Sequence, residues 1–82
     1  MPTLPLAALD PDLRAVVVSI DFEFAVRERL AALGVRAGRQ LRVVRRMGPR
    51  GPLQIRVDHT DLILRGSEAK RIQVELLNAV AG

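Results

Sequence analysis

Five short apolar runs, each closed by glycine, proline or a polar cluster, confine this chain to a small β structure. They are Ala15–Ile20 (AVVVSI), Leu41–Val44 (LRVV), Leu53–Val57 (LQIRV), Leu62–Arg65 (LILR) and Ile72–Leu76 (IQVEL). The first is rich in β-branched residues, which favour a pleated backbone. The third puts Leu53, Ile55 and Val57 on one face and Gln54 and Arg56 on the other, the period of a half-buried strand. IQVEL alternates in the same way. Between the runs lie a Gly/Pro loop at Arg45–Pro52 (RRMGPRGP) and a polar connection of hairpin length at Asp58–Asp61 (DHTD).

One helix interrupts the series. Phe22, Val26, Leu30 and Leu33 recur at helical spacing and form one face. Asp21 stands where a helix cap is expected. Gly34 falls just past the helix end, where glycine accepts positive φ without penalty, and Val35 is expected to fold back onto the apolar face. Gly38 serves the turn RAGR at Arg36–Arg39. Near the end of the chain, Ser67 is expected to cap one helical turn, SEAKR, before the last strand. Leu77–Gly82 is expected to fray.

Length then decides how the strands close. A chain of 82 residues without cysteine has neither disulfides nor a thiolate metal site to support it. It depends on a small core of Val, Leu and Ile, near the lower size limit for folding alone. Closure removes exposed strand edges. The expected fold is therefore mainly β: one domain over residues 1–82, core about 4–76, forming a small SH3-like, partly open barrel. It has about five strands, one helix after the first and a short helical turn before the last. A five-stranded OB-type barrel is the alternative, but its helix usually falls later in the order. No apolar run approaches the ~20 residues that span a bilayer. The opening MPTLPLAALDPD lacks a basic region followed by an apolar one. A soluble, cytoplasmic protein is expected.

These residues carry a resemblance. RLAALGVRAGRQLRVVRRMGPRGPLQIRV (Arg29–Val57) followed by LILRGSEAKRIQV (Leu62–Val74) resembles the ferrous iron transport protein A family (FeoA). The matching positions are Arg29, Leu30, Leu33, Gly34 and Gly38, an apolar strand through Val43, the Gly48–Pro52 loop, Ile55 and Val57. Leu64-Arg65, Glu68-Ala69 and Ile72-x-Val74 follow. The chain departs from the family where glycine is frequent, near Asp12 and at Asp21-Phe22-Glu23-Phe24. The resemblance implies a small cytoplasmic accessory protein that acts on the cytosolic G-domain region of the FeoB-type membrane transporter. A related domain ends iron-dependent repressors, and this chain lacks the length for their winged helix as well.

Charge supplies a candidate surface. The formal net charge is +4. Residues 1–28 hold two arginines against five acids, residues 29–57 hold eight arginines and no acid, and residues 58–82 hold three bases against four acids. Guanidinium pairs with carboxylate or phosphate through a two-pronged fork. Arg45, Arg46, Met47 and Arg50 cluster at one strand end and loop, and Arg56 follows on the next strand. Pairing of Leu41–Val44 with Leu53–Val57 brings the five together as the expected partner-binding surface. Electrostatic binding of duplex nucleic acid is the second reading, since phosphate attraction needs only arginine.

Other chemistries find little to work with. Asp58, His59 and Asp61 offer donors on one short turn with no second cluster, whereas a metal site needs geometry fixed from outside. No metal or cofactor is expected. No catalytic residues are expected either: Ser19 and Ser67 have no evident base, and the acids are scattered. GPRG lacks the lysine and helix of a phosphate loop. Without Trp or Tyr there is no aromatic groove for proline-rich peptides and no platform for stacked bases. No small-molecule substrate is expected, and no single arginine stands out as one acting in trans on GTP hydrolysis.

Overall fold

The computed structural model describes residues 2–77. Strand β1 (Leu4–Pro5) leads through a 3-10 turn (Leu6–Ala8) to β2 (Arg14–Ile20) and helix α1 (Phe24–Ala32). Strands β3 (Gln40–Arg46), β4 (Leu53–Val57) and β5 (Thr60–Leu64) follow, then helix α2 (Gly66–Ala69) and β6 (Ile72–Leu76). All six strands join one antiparallel sheet in the order β1-β6-β2-β3-β4-β5. The mainly β, partly open barrel expected from the sequence is the fold observed, with one strand more.

The extra strand is β1. It pairs Leu4 with Val74 and Pro5 with Gln73. The turn after it packs against α2 and β6, and brings Leu6 and Leu9 wholly into the interior. The inward residues of β2, β3, β4 and β6 meet Leu6, Leu9, Leu30, Val35, Leu64 and Ala69 in one aliphatic core. No buried side-chain polar atom lacks a hydrogen-bond partner among the described residues.

The local expectations fared unevenly. β4 and β6 have the predicted bounds, because their alternation is clean. The predicted strand Leu62–Arg65 begins earlier, at Thr60. Asp58 takes positive φ (56°), so the chain reverses over Asp58-His59 alone and Val57 already faces Thr60. Helix α1 starts at Phe24, and Glu23, not Asp21, is its N-cap residue. Arg71, just before β6, captures Asp21: the Asp21 N–H donates to the Arg71 carbonyl (2.8 Å) and the Asp21 carboxylate lies 3.8 Å from the Arg71 guanidinium. That guanidinium also stacks over Phe22, 4.3 Å from the ring centroid.

The helix end matches expectation. Val35 N–H donates to the Leu30 carbonyl and Gly34 N–H to the Ala31 carbonyl, both at 2.9 Å, with Gly34 at φ 99°. This is the paired closure of a Schellman motif. Leu33 becomes the half-exposed cap residue, and Val35 takes the interior place. At α2 the N-cap is Arg65, not Ser67, and Glu68 Oε1 accepts from the Arg65 N–H at 2.8 Å. Leu77 N–H still donates to the Arg14 carbonyl (2.9 Å), so the expected fraying has not begun there. The same expectation for residues 78–82 lies outside the described residues.

Candidate interaction surface

The arginine block is divided by a β-bulge. In the β3–β4 ladder Arg42 pairs with Arg56 and Val43 with Ile55, the register then shifts, and Arg45 pairs with Gln54. The extra residue, Val44, leaves Arg45 on the outward face with Gln54. Arg46 falls opposite buried Leu53. Its guanidinium runs along the interior side and donates to the Leu9 carbonyl at 3.0 Å. Arg46 therefore ties the N-terminal segment to β3, while Arg45 faces solvent.

The loop beyond β3 is held by its backbone. Met47 N–H donates to the Pro52 carbonyl at 2.8 Å. Gly51 passes so close to the Met47 carbonyl that a β-carbon there would overlap it (1.7 Å). Met47 and Arg50 are exposed on this loop. Of the five residues expected to form one surface, Arg45, Met47 and Arg50 are exposed together around the end of β3. Arg46 is half-buried in a structural contact. Arg56 lies further along β4, beside Arg42.

Arg56 is tied to the edge strand. Its Nε and its terminal amine hold Asp61 Oδ1 and Oδ2 at 2.6 and 3.0 Å. Gln54 Nε2 donates to Asp61 at 3.1 Å and Gln54 Oε1 accepts from Arg45 Nε at 3.0 Å, so one chain of polar contacts links β3, β4 and β5. The Arg56 fork holds the Asp61 carboxyl below the usual aspartate range, and Asp61 in turn raises the guanidinium. Around the hairpin turn, Asp58 accepts from Arg39. Both aspartates flanking His59 are thus engaged by arginines, and no cluster of three His, Asp or Glu side chains forms among the described residues.

Two arginines that sequence reasoning left out complete the outward face. Arg14 pairs directly with Arg42 across β2 and β3, and Arg42 with Arg56 across β3 and β4. Arg14 sits in the acidic third of the chain, so charge blocks concealed it. The position of Arg42 between Leu41 and Val43 is the signal that could have placed it on the outward face. No helix among the described residues is long and apolar enough to cross a membrane.

No curated protein matches the chain significantly. It superimposes on a crystal structure of an iron uptake regulatory protein, FeoA (TM-score 0.83, 26% identity, 93% of this chain and 100% of that one). FeoA of Chlorobium tepidum gives 0.85 at 34% identity over 96% of this chain and 75% of its own. FeoA of Stenotrophomonas maltophilia, a zinc complex described as a procaryotic SH3 domain protein, gives 0.74 at 34% identity over 88% and 89%. The sequence model of the FeoA domain matches residues 4–76. With that match spanning the sheet from β1 to β6, the chain belongs to the FeoA family of small SH3-like accessory proteins of ferrous iron transport.

Proposed function

We propose that this chain is a cytoplasmic, non-enzymatic accessory protein that docks on the cytosolic G-domain region of a FeoB-type ferrous iron transporter. Family membership supplies the iron-transport context. The observation that carries the docking reading is the outward arginine face of β3 and β4 with Met47 and Arg50 at its end, because guanidinium forks with an adjacent apolar side chain suit a protein contact. The proposed contact residues are Arg45, Met47, Arg50 and Arg56. Arg46, first grouped with them, is better kept intact because it holds the Leu9 carbonyl.

The test is a titration of the purified protein against the transporter's cytosolic region at two salt concentrations, with duplex DNA as parallel ligand. Saturable binding to the transporter region, weakened by Arg45→Glu with Arg50→Glu, supports the reading. Binding to DNA alone, lost at the higher salt, overturns it in favour of electrostatic nucleic-acid binding.

A further inference from the structure

Like charges placed directly opposite each other across paired strands destabilise a sheet. This sheet does so twice in one line, at Arg14–Arg42 and at Arg42–Arg56. Neighbouring strands lie about 4.8 Å apart, so three guanidinium stems stand within about 10 Å on one face. A sheet selected for stability alone would alternate the signs. Here the compensation is unequal. Asp61 grips Arg56 with two contacts. Asp12 touches Arg42 once, at 3.2 Å, from a largely exposed position. Arg14 has no carboxylate within ion-pair distance among the described residues. The row borders a shallow cavity of about 320 Å³, also lined by Gln40, Leu41 and Asp58.

We infer that the Arg14–Arg42–Arg56 row is a recognition site for an extended acidic segment of a partner protein. The inference deepens the docking reading and rests on it for the partner's identity. Arg56, fixed by Asp61, orients the row; Arg42 exchanges its single weak contact for a partner carboxylate, and Arg14 receives a second. In an extended peptide, carboxylates at alternate residues lie about 7 Å apart on one side, within the span of the row. A nucleic-acid backbone fits less well. A duplex carries a phosphate charge about every 1.7 Å of its axis and cannot keep that charge clear of Asp12, Asp58 and Asp61 at the rim, whereas a peptide with carboxylates only at alternate residues can.

The row makes a prediction that separates binding from folding. Arg14→Glu puts a carboxylate opposite Arg42. It removes one repulsion and creates an attraction, so it raises Tm by about 2 °C while weakening acidic-peptide binding about tenfold or more. The control is Arg27→Glu, the same charge change at an exposed position of α1, which leaves the affinity within about twofold.

The experiment follows the arginine Nε–Hε resonances of the full ¹⁵N-labelled chain as a short peptide of alternating glutamate and alanine is added, with inorganic pyrophosphate and duplex DNA in parallel. Saturable shifts at Arg14 and Arg42, lost in Arg14→Glu and kept in Arg27→Glu, support the site. Equal weakening by the two variants, or stronger shifts with pyrophosphate or DNA, overturns it. No shift with any probe overturns it too. The same variants are then titrated against the transporter's cytosolic region. If the wild type fails to bind there yet binds the peptide, the transporter reading falls and the acid-recognising row stands. If it binds there and Arg14→Glu binds equally well, the row falls and the transporter reading stands.

Discussion

At Gly34 two independent requirements meet on one residue. Its φ of 99° is left-handed, and a β-carbon there would lie 3.1 Å from Val57 Cγ1. Gly34→Ala is therefore expected to cost about 2 kcal/mol, the left-handed penalty with crowding added. Urea denaturation reads the loss directly. Asp61 carries the pH dependence at this scale. Its carboxyl titrates below the usual range because the folded state holds it charged beside Arg56. A depressed folded-state value gives stability that is complete above the unfolded value and is lost as pH falls through the folded one. Tm should thus fall as pH drops below about 4, and Asp61→Asn should flatten that part of the profile. Equal acid slopes in wild type and variant would show that the pair contributes nothing. Gly34 was legible because a glycine after an apolar helical face has one common use. The Asp61 pairing was not, since it depends on which residue of β5 faces Arg56.

Among the elements, the β3 bulge explains most of what the sequence hid. LRVVRR read as a plain strand and loop gives no sign that Val44 is the extra residue, yet the shift decides that Arg45 faces out and Arg46 turns toward Leu9. Removing Arg46 leaves the half-buried Leu9 carbonyl contact without its donor. Arg46→Ala should cost about 1 kcal/mol. Arg45→Ala gives up only an exposed contact to Gln54 and should stay within about 0.5 kcal/mol of wild type. The two chemical denaturation midpoints check this; equal losses would place both side chains in the same environment. β4 and β6, with strict alternation and no irregularity inside their runs, were readable to the residue. α1 was readable at its glycine end and not at its start, because tertiary contacts of Asp21 and Phe22 with Arg71 override the local capping preference.

For the whole molecule, the hidden part is the N-terminal segment. Leu4–Pro5 is too short, and proline too unusual in a strand, for any period to appear. Only the waiting edge of β6 makes it one. The consequence is energetic. A domain of this size is stable by about 4–12 kcal/mol. Leu9 is fully buried in the aliphatic core, and no ladder joins β1 to β5 among the described residues. Leu9→Ala should cost about 2–4 kcal/mol through lost transfer energy and the cavity left behind. Because its carbonyl also receives Arg46, displacement of this segment would couple core loss to release of β3. The Leu9→Ala and Arg46→Ala effects should then be non-additive by about 0.5 kcal/mol or more in a double-mutant cycle. Simple additivity would mean that the segment only plugs the barrel and does not brace the strand beside the arginine face.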